Sequence, residues 1–79
     1  MRLDKFLKVS RLIKRRTVAN EACDAGRVLV NGKVAKASLN VKVGDIIEIQ
    51  FGTRTVKVRV EDIAQTTKKD EAAELFSYI

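Results

Sequence analysis

Seven basic side chains crowd the first sixteen residues: Arg2, Lys5, Lys8, Arg11, Lys14, Arg15 and Arg16. Only Asp4 offsets them in that span. Like charges at this density repel one another unless a polyanion relieves them. Arginine suits a phosphate partner, because its planar fork takes two oxygens at once. Arg27, Lys33 and Lys36 continue the basic set around the pair Asn31-Gly32. The imbalance belongs to one end of the chain. Residues 1–42 hold eleven basic and three acidic side chains, a net +8, whereas residues 43–79 hold five and seven, a net −2. The total is +6 and the isoelectric point about 9.8, above the ~9 that marks nucleic-acid binders.

Other chemistries find little footing. Histidine is absent and Cys23 is the sole cysteine, so neither an intrachain disulfide nor a Cys/His zinc site is expected. Ser10, Thr17, Thr66 and Thr67 have no histidine to act as base. Asp45 belongs to a turn and Glu48 to the outer face of a strand, so they do not read as a catalytic pair. Cys23 reads as a small buried hydrophobe. No enzyme, metal or cofactor is expected, and a chain of 79 residues leaves little room for a supported substrate pocket. Four aromatics are too few for a single-strand stacking platform, which favours recognition of folded RNA by shape and phosphate. No apolar run approaches the ~20 residues of a membrane span, and no secretory leader opens the chain. Leu3, Phe6 and Leu7 are better spent on a core than on a lipid surface. A cytoplasmic protein without a membrane partner is expected, monomeric on its own.

The elements that must carry these charges follow from periodicity. Leu3, Phe6, Leu7 and Ser10 share one stripe and predict a helix over Leu3–Leu12, with Asp4 favoured in its first turn. Arg2, Lys5 and Lys8 fall on the opposite face. A second helix is predicted over Arg15–Ala25, with Val18, Ala19, Ala22 and Cys23 inward and Gly26 as its left-handed terminator. Arg27–Val30 and Lys33–Ala37 read as strands joined by Asn31-Gly32, a strong type I′ hairpin signal. That signal makes Asn31 a turn former first. Gly44-Asp45 marks another turn. Ile46–Phe51 and Thr55–Val60 alternate as strands, with Ile47, Ile49 and Phe51 in phase on one and Val56, Val58 and Val60 on the other. Asp70–Tyr78 predicts a short amphipathic helix, with Ala73, Leu75 and Phe76 inward. The expected class is α+β: two N-terminal helices packed on a small, strongly twisted antiparallel sheet, then a short C-terminal helix or tail. Residues 1–65 would form the RNA-binding domain, and residues 66–79 a helical tail packed on it or extending from it.

Four ordered blocks carry a family resemblance: Arg2-Leu3-Asp4-Lys5-Phe6-Leu7, Arg15-Arg16-Thr17-x-Ala19, Gly26-Arg27-Val28-x-Val30-Asn31-Gly32 and Val43-Gly44-Asp45. Together they resemble the S-four domain (the alpha-L motif), the RNA-binding module named after small-subunit ribosomal protein four. The resemblance implies an RNA-binding surface made of the two helices and the adjoining strand. By position it implicates Arg2, Lys5, Arg11, Arg15, Arg16, Thr17 and Arg27, with Asn31 and Lys33 at the rim. Arg15 departs from the serine often found at the second helix's N-cap, so side-chain capping there should be weak. The full opening Met1–Thr17 and the stretch Thr66–Ala73 are also similar to small S-four factors of bacterial ribosome-associated quality control. That similarity implies binding to an obstructed large ribosomal subunit through large-subunit rRNA and peptidyl-tRNA. It further implies help to an RqcH-type tailing factor that adds alanine to stalled chains. A general rRNA-binding protein, a heat-shock-type recycling factor and a basic protein–protein adaptor are the alternatives.

Overall fold

Leu3, Phe6 and Leu7 recur at helical spacing, and all three are fully buried in the helix they define, α1 (Leu3–Val9). A second helix, α2 (Arg16–Asp24), lies beside it, and its buried residues Ala19 and Cys23 are small enough for close approach. Five strands follow: β1 (Val28–Val30), β2 (Lys33–Val34), β3 (Ile46–Phe51), β4 (Arg54–Val60) and β5 (Phe76–Tyr78). The computed structural model describes residues 1–63 and 72–79. The strands form one antiparallel sheet in the order β2-β1-β3-β4-β5.

Register explains the core. Val28 faces Ile49 and Val30 faces Ile47 across β1 and β3, and Ile47 faces Val58 across β3 and β4. These apolar residues therefore line one face of the sheet, as the period of two requires. They join the buried residues of both helices in one hydrophobic cluster. Val58, Val60, Ile47 and Ile49 are essentially inaccessible, whereas Phe51, at the strand's end, is exposed and lies under the Arg54 guanidinium.

Both predicted turn residues behave as their backbones demand. Asn31 and Gly32 take φ values of 53° and 83°, linking β1 to β2 in two residues. Gly26, at φ 73°, ends α2 in a Schellman arrangement: its N–H donates to Cys23 O, and the Arg27 N–H donates to Ala22 O. Arg15 sits at the N-cap without a side-chain bond, as its residue type implies.

Several elements differ from expectation. Helix α1 stops at Val9 rather than Leu12, because Arg11 adopts a left-handed backbone that turns the chain. Val18 is exposed, not inward. The returning strand is only Lys33–Val34. Beyond it the chain leaves the sheet to close the N-terminus of α1, where the Leu3 and Asp4 N–H groups donate to Leu39 O and Ala37 O. Backbone carbonyls thus satisfy donors that a side-chain cap would otherwise take. The helix predicted over Asp70–Tyr78 is not found in its described part. Asp70 and Glu71 lie outside the described residues. Ala72–Leu75 make a 3-10 turn, and Phe76–Tyr78 pair with β4, Phe76 opposite Val60 and Tyr78 opposite Val58. Leu75 is buried, as expected. Pairing with an open strand edge gives three residues more hydrogen bonds than an isolated helical turn could keep.

Candidate nucleic-acid interface

The geometry turns on Asp4, the acid that periodicity had assigned to the dipole of a helix end. Its side chain is only 3% exposed, yet it sits beneath the basic surface. Arg2 Nε and Nη2 donate to its two oxygens at 3.2 Å each. Arg16 Nε, from α2, lies 3.4 Å from Oδ2. The Asn20 amide donates to Oδ2 at 3.4 Å, and the Lys5 N–H to Oδ1 at 2.8 Å. One buried carboxylate therefore collects two guanidinium groups from different elements. Both arginine side chains remain about half exposed, at 48% and 47%. Their unused N–H donors are available to a ligand in solvent.

Burial by itself would raise the Asp4 carboxyl pKa. The hydrogen bonds from Arg2, Asn20 and Arg16, with the charge of Arg16, outweigh burial and hold it below the ordinary value of 3.8. Asp4 is thus charged throughout the neutral range, and the arginine pair is fixed there.

A shallow hollow beside this cluster is lined by Arg2, Arg16, Thr17, Asn20 and Glu21. A second groove leads from Arg2 past Ser38 to Lys36. A third carries Lys36, Lys33 and Lys42 above Val34 and Leu39. The structure so brings Arg2, Arg16, Thr17, Lys36 and Lys33 along a continuous series of depressions. Lys8, Arg11, Lys14 and Arg15 are exposed around the α1–α2 bend, and Lys5 is half-buried. Arg27 stands apart. It follows the far end of α2, roughly 13 Å of helix from Arg16 at 1.5 Å per residue.

Asn31 has another task. Its amide N–H donates to Asp45 Oδ1 at 3.2 Å, and its Oδ1 accepts the Ile46 N–H at 3.0 Å. Asp45 Oδ2 also accepts the Lys42 N–H at 2.9 Å. Asn31 is spent on binding two turns together. Cys23 is buried, and burial with the nearby Asp4 and Asp24 charges pushes its thiol up to about 11, far from a reactive thiolate.

Sequence reasoning missed three participants. Asp4 was seen as a helix-end acid and not as a hub. Asn20 was overlooked, although its position four residues after Arg16 places both on one helix face. Lys42 was not singled out, because its place beside Lys33 depends on the Asn31–Asp45 clasp.

A buried acid holding arginines on a helix pair, beside a twisted antiparallel sheet, defines a small RNA-binding module. Residues 1–47 match the S4 domain model. The chain is 56% identical to the RQC P-site tRNA stabilizing factor of Bacillus subtilis, over all of this chain and 92% of that protein. It is 57% identical to the factor of the same name from Halalkalibacterium halodurans, over 96% of this chain and 86% of that one. The trimeric structure of Vibrio cholerae heat shock protein 15 superposes with a TM-score of 0.93 at 31% identity, covering the whole chain and 81% of that protein. The chain belongs to the S4-domain family and, within it, to the group of RQC P-site tRNA stabilizing factors.

Proposed function

We propose that this chain is a non-enzymatic, cytoplasmic RNA-binding factor that holds P-site tRNA on the large ribosomal subunit during ribosome-associated quality control. The observation that carries the proposal is the Arg2–Arg16 pair, pinned on buried Asp4 and open to solvent, in a chain whose full-length relatives are named for stabilizing P-site tRNA. Two oriented guanidinium groups, one at the N-cap of α1 and one from α2, fit a phosphate backbone that runs across the protein. Exposed Lys8, Arg11, Lys14 and Arg15 would extend the footprint along the bend, and Lys5, Thr17, Lys33 and Lys36 across the hollows. Arg27 would reach only a second stretch of RNA. Large-subunit rRNA and peptidyl-tRNA are the proposed partners. Keeping the tRNA in place would let an RqcH-type factor add alanine to the stalled chain.

Co-sedimentation with purified large subunits tests the reading. Arg2→Ala and Arg16→Ala should each weaken binding about tenfold while the fold survives, because each removes charged hydrogen bonds to the ligand. Affinity should fall with salt by a log–log slope of about 0.7–0.9 per phosphate neutralised. Wild-type co-sedimentation by both variants at physiological salt rejects this face. If large-subunit binding persists but alanine tailing in a reconstituted reaction is unaffected by the protein, a general ribosome-recycling role replaces it.

A further inference from the structure

A groove of about 770 Å³ lies between the β1–β2 hairpin and the chain that leaves it, and neither Arg2 nor Arg16 lines it. Its lining is mostly apolar, with buried Ala35 in the floor and Val34 and Leu39 in the walls. Both wall residues are open to solvent, Val34 at 64% and Leu39 at 38%. Lys33, Lys36 and Lys42 rim the groove. Among the described residues their ammonium groups make no ion pair or side-chain hydrogen bond. Asp45, the acid on the lining, is already bound to the Asn31 amide and the Lys42 N–H. The groove also borders an open sheet edge, because β2 is an outermost strand. The Ala35 N–H donates to Val28 O, so the alternation of an antiparallel ladder turns the Val34 N–H and C=O away from β1.

These features fit a polypeptide better than a nucleic acid. Unstacked RNA bases are held on aromatic rings or guanidinium planes, and this groove is lined by neither. A phosphate backbone has no aliphatic group to cover Val34 and Leu39. Lysines above an aliphatic wall call for a partner that carries both carboxylates and apolar side chains. We propose that the groove docks an acidic, leucine- or valine-bearing extended segment of a protein partner. The segment adds a strand beside Val34, seats its apolar side chains on Val34 and Leu39, and sets its carboxylates against Lys33, Lys36 and Lys42. Lys33 and Lys36 stand where the groove meets the proposed RNA face, so one molecule holds protein and RNA side by side. Such docking goes beyond the function proposed above and does not depend on it.

The test is an NMR titration of the full chain with a short synthetic peptide that alternates glutamate and leucine. The amide signals of Val34, Lys36 and Leu39 should move together. A peptide of the same charge that alternates glutamate and serine should bind about tenfold more weakly, since it has nothing to cover the wall. Val34→Ser and Leu39→Ser should each weaken the leucine peptide about fivefold. Lys42→Gln should weaken it about threefold, and this exposed position keeps the test open if Leu39→Ser does not fold. Val34→Ser and Leu39→Ser should co-sediment with large subunits like wild type. Equal binding of the two peptides overturns the proposal, because charge alone then explains it. Movement confined to the amides around Arg2 and Arg16 also overturns it. Loss of large-subunit binding by folded Val34→Ser or Leu39→Ser assigns the groove to RNA and overturns it as well. Failure of the wild-type chain to bind large subunits rejects the function proposed above and leaves the groove to be decided by the peptides.

Discussion

Asp4 and Asp45 are each bound to an asparagine amide and to a backbone N–H, yet they do opposite work. Asp4 is buried and gathers guanidinium groups that face outward. Asp45 is half-buried and gathers backbone, tying the Lys42 turn and the β1–β2 hairpin through Asn31. The difference lies in what surrounds them. Asp4 stands where two helices converge, with Arg2 just before α1 and Arg16 at the start of α2 within reach. Asp45 stands between two turns, where it accepts the Lys42 N–H from one and the Asn31 side-chain amide from the other. The same chemistry therefore turns cations toward solvent in one place and closes loops in the other.

Breaking the first cluster should produce the largest effect. Asp4→Ala strips the acceptor from the Lys5 N–H and the Asn20 amide and releases both arginines. We expect a loss of about 3 kcal/mol in urea denaturation, together with weaker large-subunit binding in the fraction that stays folded. Full binding by folded Asp4→Ala protein would show that the arginines need no anchor.

Asn31→Ala should destabilise by about 1–2 kcal/mol, since it removes the Ile46 contact and places alanine in a left-handed turn. Its folded form should bind large subunits like wild type. Weakened binding there would move Asn31 from the fold to the interface.

Acid loosens the Asp4 cluster more gently than substitution does. The Asp4 pKa is lowered in the folded state, so the unfolded chain binds the proton more tightly. The stability Asp4 contributes is complete above about pH 5 and is lost as pH falls through 3.8 and below. Chemical denaturation at stepped pH should show wild type losing stability between roughly pH 5 and 3 more steeply than Asp4→Asn, which has no carboxylate to protonate. Parallel curves would mean that Asp4 is not the group responsible.

The smallest effect is expected where a salt bridge serves neither purpose. Lys57 lies 3.7 Å from Glu48 on the outer face of the sheet, and its side chain is about half exposed, at 51%. Lys57→Ala should change stability by less than about 0.5 kcal/mol and leave large-subunit binding intact. A marked binding loss would extend the interface to the sheet.

Much of this was legible along the chain. Leu3, Phe6 and Leu7 declare a helix with one apolar side, and Gly26 and Asn31-Gly32 declare where α2 ends and a hairpin turns. The concentration of cations in residues 1–42 declares a polyanion partner. Each of these signals is local, set by side-chain period, backbone tolerance or charge density, and needs no knowledge of distant residues. Other features were decided by the tertiary structure. Phe76–Tyr78 form a strand because β4 offers an open edge. Lys36–Leu39 leave the sheet because the start of α1 needs carbonyl acceptors. Asp4 becomes the hub of the arginine cluster because Arg16 and Asn20, twelve and sixteen residues onward, fold back against it. Periodicity could assign Asp4 to the first turn of α1, but only the packing of α2 beside α1 could supply the partners that keep a buried carboxylate charged and two arginines aimed at solvent.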